Sequence, residues 1–121
     1  MIINDGVHLE MGHRSYINFN STVACFERIT IGSDCAISWD TTILDGNLHE
    51  LSAAGVARPR TRPVHIGDNV WIGTGATIVG ASIGAGAVVG ARSMVSADVD
   101  PATLVTGNPA QVARKDVTWQ W

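Results

Sequence analysis

The stretch that decides the fold is Ile66-Gly67-Asp68-Asn69-Val70-Trp71-Ile72-Gly73-Thr74-Gly75-Ala76-Thr77-Ile78-Val79. A large aliphatic residue recurs every six positions, at Ile66, Ile72 and Ile78. A slim side chain follows four places after the first two, at Val70 and Ala76. Six residues of α-helix turn through about 600°, which would scatter these positions over three faces. In extended chain a step of six is even, so all of them face one side. A short strand, a tight bend and another short strand satisfy both the spacing and the glycines.

The same beat runs outward in both directions. Upstream lie Met11, Ile17, Val23 and Ile29, then Ile31, Ile37 and Ile43; downstream lie Ile83, Val89 and Val95. Slim residues keep step at Ser15, Ser21, Cys35, Thr41, Ala87, Ser93 and Val99. Three hexads make one triangular coil, with each aliphatic pointing inward and stacking on its equivalent one coil away. The expected fold is an all-β solenoid, a single domain over residues 1–121 with coils over about 5–99.

Three departures from the beat carry information. Ile29 to Ile31 is a shift of two, and Ile78 to Ile83 is one residue short, predicting a tighter corner. Ile43 to Ile66 is too long for one coil face and predicts a loop, about 48–63, extruded from the side. Arg58-Pro59-Arg60-Thr61-Arg62-Pro63 closes that loop, stiff in backbone and basic in character. Loops on rigid scaffolds are where function concentrates. Beyond Val99 the beat stops, and 100–121 is expected to cap the last coil, with Ala110–Trp121 as a short helix or arm. The first coil begins almost at Met1 without such a cap, which predicts cover by a partner or a shortened form of something longer.

Composition narrows the function classes. With 8 Lys and Arg against 11 Asp and Glu, the formal charge is −3, so nucleic acid is not an expected partner. Hydrophobic residues at 45% and charged ones at 16% argue against disorder, and 13 glycines with few aromatics fit a repetitive aliphatic core. Val70 to Ala91 carries no charge and is long enough to span a bilayer. Its six glycines would each weaken a helix by about 1 kcal/mol, so no membrane span is expected. Cys25 and Cys35 form no C-x-x-C pair and no basic-then-apolar leader is present, which predicts reduced thiols and a cytoplasmic location.

The run from Ile66 to Gly73, continuing through Gly84 and Gly90 to Gly107-Asn108-Pro109-Ala110, resembles the hexapeptide-repeat acyltransferases. Tyr16-Ile17-Asn18-Phe19-Asn20, and His49 before the loop, resemble the sugar O-acetyltransferase branch in particular. The resemblance covers roughly residues 5–115. It implies a left-handed parallel β-helix, a homotrimer with sites between neighbouring subunits, and acetyl-CoA as donor.

Moving an acetyl group from a thioester to a sugar hydroxyl needs a base for the attacking hydroxyl and a donor for the tetrahedral oxyanion. Among His8, His13, His49 and His65, the resemblance marks His49 as that base, acting directly in a ternary complex. Its other ring nitrogen calls for a partner, for which Asp45, Glu50 or a backbone carbonyl are candidates. The resemblance places Asn18, with Asp45, at the acyl acceptor. It places Trp71, Thr74, Ala91 and Ser96 along the CoA arm, Trp71 as an apolar plate or a subunit-interface anchor. Ala97 stands where relatives often carry Lys. The CoA 3′-phosphate must then find charge elsewhere: Arg92, Arg114 and Lys115 are candidates, as are Arg58, Arg60 and Arg62 of a neighbouring copy.

Two other readings compete. A zinc enzyme of the γ-carbonic anhydrase type shares the coil but needs three His across an interface, and no third His follows His49 and His65. No metal is therefore expected. A non-catalytic β-helix scaffold is the other; acetyl-CoA binding separates it from the enzyme.

Overall fold

A computed structural model describes residues 2–3, 6–46 and 49–121. Asp5 and Leu48, the expected starts of the coils and of the loop, lie outside the described residues. The chain runs through β1 (Ile2–Ile3) into a rung made of β2 (His8–Met11), β3 (Tyr16–Ile17) and β4 (Thr22–Cys25). A second rung holds β5 (Arg28–Ile31), β6 (Ala36–Ile37) and β7 (Thr42–Leu44). After a hairpin of β8 (Leu51–Ala53) and β9 (Val56–Arg58) comes a third, β10 (Val64–Ile66), β11 (Trp71–Ile72) and β12 (Thr77–Val79). The fourth is β13 (Ser82–Ile83), β14 (Val88–Val89) and β15 (Met94–Val95), followed by β16 (Thr103–Gly107) and β17 (Ala110–Lys115). Among the described residues there is no helix.

Corresponding strands of successive rungs pair in parallel and build three sheets. Sheet A is β1-β4-β7-β12-β15, sheet B is β2-β5-β10-β13, and sheet C is β3-β6-β11-β14-β16-β17. The register aligns the aliphatic beat into columns. Val23, Ile43, Ile78 and Val95 stack in sheet A. Ile17, Ile37, Ile72, Val89 and Val105 stack in sheet C. Ile31, Ile66 and Ile83 stack in sheet B, extended by a parallel bridge to Val99. All three columns meet in one buried cluster, as a period of six in extended chain requires. Truncating a central member such as Ile72 to Ala should cost about 2–5 kcal/mol, because neighbours in a stacked lattice relax little.

The corners explain the slim residues. Cys35, Thr41, Val70, Ala76 and Ala87 are all fully buried. The residue before each slim one adopts a left-handed backbone: Asn20, Asp34, Asp40 and Asn69 do so with φ between 55° and 61°. Asn and Asp tolerate that region better than most side chains. Arg14, Arg92 and Ala102 occupy the equivalent place against preference, at φ 58°, 60° and 53°. Gly73 illustrates the other constraint: a Cβ there would lie 2.7 Å from the Ala91 backbone nitrogen on the next rung. The Ile-Gly doublets thus mark where successive turns touch.

The departures from the beat resolve physically. Ile29 and Ile31 both point inward on the four-residue strand β5, so the shift of two keeps the parity of the strand. The short step after Ile78 is a tight corner at Gly80, which has φ 51°. The extruded loop is an antiparallel hairpin, β8–β9, closed at its base by an antiparallel bridge between Gly46 and Thr61. Residues 110–121 differ from the helical alternative: Ala110–Lys115 is a strand antiparallel to β16, and Val117–Trp121 continues as an arm.

Candidate active site

Three faces turn outward between the corners, and two of them carry clefts. On sheet A, Thr22 pairs with Thr42 and Ala24 with Leu44, giving a shallow floor. His49 closes this floor at the downstream end, and with Phe26 and Gly46 it encloses a cleft of about 320 Å³. The imidazole is exposed, and among the described residues it makes no hydrogen bond.

The expected partners of His49 are engaged elsewhere. Asp45 is fully buried, and its Oδ1 accepts the Phe26 N–H at 2.8 Å. Its Oδ2 accepts the N–H groups of Glu27 and Arg28, at 2.8 and 2.7 Å. The carboxylate therefore holds the corner between β4 and β5, a structural task that the sequence reading had not assigned to it. Glu50 instead faces Arg60, 3.9 Å away.

Asn18 occupies the corner between β3 and β4, its backbone N–H donating to Ile37 O at 3.0 Å. It precedes β4, whereas His49 follows β7, the strand beside it. Asn18 and His49 thus flank the same pair of adjacent strands.

Sheet C carries the second cleft. Cross-strand register sets Tyr16, Ala36, Trp71, Val88, Leu104 and Arg114 in one column, one residue per strand. Residues directly opposite share a face, so this column runs along the coil axis on the outside of the sheet. Trp71, Thr74 and Ala91 line one groove of about 680 Å³ with Trp39 and the arm residues Val117 and Trp119. The arm is fastened by the Trp119 indole, which donates to Asn69 O at 2.8 Å. Its ring lies 6.0 Å from Trp71, and Trp121 lies 5.1 Å from Tyr16.

Three of the expected CoA-arm residues therefore meet in one groove, with Arg114 at the far end of the same column. Ser96 does not join them; it follows β15 and lines a separate cleft with Arg60, Arg62 and Gly80. Trp39, Trp119 and Phe26 escaped the sequence reading. Trp39 sits two places after Ile37, the offset that Thr74 keeps from Ile72, while nothing local announces the return of the arm. Among the other histidines, His8 pairs with Glu10 at 2.8 Å, and His65 Nδ1 lies 2.5 Å from Thr30 Oγ1 on sheet B. No group of three metal-ligating side chains occurs among the described residues, and no helix is long and apolar enough to cross a membrane.

Comparison with known proteins places this architecture. Residues 63–97 match the model for the hexapeptide repeat of succinyl-transferase. A hexapeptide-repeat acetyltransferase of Vibrio cholerae superposes with a TM-score of 0.78 at 33% identity, over 93% of this chain and 69% of that one. The chain belongs to the hexapeptide-repeat acetyltransferases. Galactoside O-acetyltransferase of Escherichia coli is 35% identical over 114 residues, covering 91% of this chain and 55% of its own length. The polySia-specific acetyltransferase NeuO superposes with a TM-score of 0.91 at 27% identity, over 97% of this chain and 56% of that one. The chain thus spans about half the length of these two relatives. The Vibrio cholerae protein is also known bound to acetyl-CoA, a complex that superposes with a TM-score of 0.79 at 30% identity.

Proposed function

We propose that this hexapeptide-repeat protein is an acyl-CoA-dependent O-acetyltransferase that moves an acetyl group from acetyl-CoA to a hydroxyl of a sugar or glycan. The coil winds left-handed, and three copies assemble around their long axes. The observation that carries the reading is the pairing of two clefts: an exposed imidazole over sheet A, and an aromatic-walled groove along sheet C that gathers Trp71, Thr74 and Ala91.

Each step follows from those two faces. The extended pantetheine arm lies along the column from Trp71 towards Arg114, its methylenes on Trp71 and its phosphates reaching the guanidinium. The glycines and small residues of the groove let the arm approach the backbone closely. His49 of a neighbouring copy accepts the proton of the acceptor hydroxyl as the oxygen attacks the thioester carbon. The C–S bond breaks as the tetrahedral intermediate collapses, and the departing sulfur takes the proton that His49 accepted, so CoA leaves as the thiol. Asn18 of the other copy completes the acceptor site across the interface. His49 suits this role because a neutral imidazole nitrogen can take a proton and hand it on.

The test is His49→Ala in the full chain, assayed by thiol release from acetyl-CoA. Turnover should fall by about 10²–10⁴-fold with acetyl-CoA binding retained. Normal turnover in that variant would remove His49 from the mechanism, and absence of acetyl-CoA binding by the parent chain would support a scaffold instead.

A further inference from the structure

The geometry points to an anion subsite beside His49, formed by Arg60 and Arg62, that selects acceptors carrying a carboxylate. The inference rests on the reading of His49 as the base and adds the class of acceptor. Four observations carry it.

The first is placement. Arg60 and Arg62 line a cleft with Gly80 and Ser96, and Gly46 lines both this cleft and the one that holds His49. Gly46 therefore joins the two clefts, His49 lining one and Arg60 and Arg62 the other, which Asp45 also lines with its carboxylate taken up by backbone N–H groups. The second is the absence of bulk at that glycine. A Cβ on Gly46 would collide with the Arg60 carbonyl oxygen, so the bare glycine keeps the hairpin base pressed against the floor.

The third observation is charge. The segment 49–63 holds three arginines and one carboxylate, in a chain of net charge −3. Arg58 makes no ion pair among the described residues. Arg60 meets Glu50 only at 3.9 Å, and Arg62 meets Asp98 at 3.5 Å, with all four side chains half exposed or more. Such long, solvated pairs are weak and exchange readily for a better-placed carboxylate.

The fourth is distance along the ligand. A carboxylate on a sugar ring lies within one residue of its own hydroxyls, and the clefts of Arg60 and His49 share Gly46 in their lining. The phosphates of CoA are held a whole pantetheine arm from the thioester, and their column on sheet C already ends at Arg114. An anion lodged beside the reacting hydroxyl therefore belongs to the acceptor. Guanidinium forks match carboxylates in a bidentate geometry that a neutral ester cannot offer.

The experiment uses the full chain and two probes that differ only in charge: the methyl glycoside of N-acetylneuraminic acid and its carboxyl methyl ester. Calorimetry should give binding of the acid about tenfold tighter than the ester, and the preference should shrink as salt rises. Arg60→Ala and Arg62→Ala should bring the ratio close to one, Arg60→Lys should restore part of it, and acetyl-CoA affinity should stay unchanged. Equal binding of acid and ester, binding of neither, or loss of acetyl-CoA affinity in place of acid affinity overturns the subsite. Arginine-dependent binding of the acid without any thiol release would leave the subsite standing and overturn the acetyltransferase reading.

Discussion

Asn18 stands at the corner before β4, and His49 follows β7, the strand that pairs with β4 in parallel. The proposed site between copies takes the two residues from different chains. Mixing inactive Asn18→Ala and His49→Ala chains, unfolded and refolded together, should therefore restore a measurable fraction of activity. Thiol release assayed on the mixture decides this; a mixture as inactive as its components would place both residues in one copy's site.

Asp45 predicts a stability effect without a direct chemical one. Its carboxylate accepts three consecutive backbone N–H groups at the corner that leads into β5. Asp45→Ala should cost about 2–3 kcal/mol in urea unfolding, since bonds to a charged acceptor are among the stronger ones. Asp45→Asn, which keeps one acceptor oxygen, should cost less. Equal stability of all three chains would remove the carboxylate from the corner.

The arm gives a ligand-linked prediction. Trp119 walls the groove that holds Trp71 and Thr74, and it is tied down by one indole hydrogen bond. Trp119→Ala should weaken acetyl-CoA binding by about tenfold, as loss of one aromatic wall implies, and leave the coil folded. Calorimetry with acetyl-CoA reads the first effect and thermal unfolding the second.

Ala102 sits in left-handed backbone at φ 53°, where glycine suffers no Cβ penalty. Ala102→Gly should raise stability by about 0.5–1 kcal/mol, visible as a higher Tm. The reverse substitution at Gly86, which has φ 74° at the same corner one rung earlier, should lower it.

Arg14 clasps Asp34 between the first two rungs, Nε to Oδ1 at 2.6 Å and Nη2 to Oδ2 at 3.1 Å. The hydrogen bond from Arg14 holds the Asp34 carboxyl below its ordinary value. A carboxyl depressed by folding adds stability above its unfolded pKa, and that contribution fades as pH falls through the lower folded value. Asp34→Asn should therefore narrow its gap to the parent as pH drops below about 4, followed by Tm against pH. Burial raises the thiols of Cys25 and Cys35, so neither should react with a disulfide reagent at neutral pH before unfolding.

The coil was legible because its constraint is local: an inward aliphatic every six residues and a slim residue at each corner leave a mark at every turn. The left-handed corner residues were legible in part, through Asn20, Asp34 and Asn69, but Arg14, Arg92 and Ala102 hide the same conformation behind ordinary side chains. Trp71, Thr74 and Ala91 were named for the CoA arm through the family resemblance, and the register is what gathers them along one groove. The return of Trp119 onto Trp71 was not, because a contact spanning that much chain leaves no periodic trace. The structural task of Asp45 is hidden for a related reason: nothing near it in the chain shows that the backbone N–H groups before β5 fill its oxygens.

The column from Tyr16 to Arg114 gains one member per rung, and Ile66 pairs with Ile83 exactly one turn later. A deletion of one whole turn would keep every inward stack in register while shortening the column by about 4.8 Å. The scaffold therefore behaves as a ruler graduated in coils. Evolution or design can change the reach between its aromatic end and its cationic end only in whole steps, by counting turns.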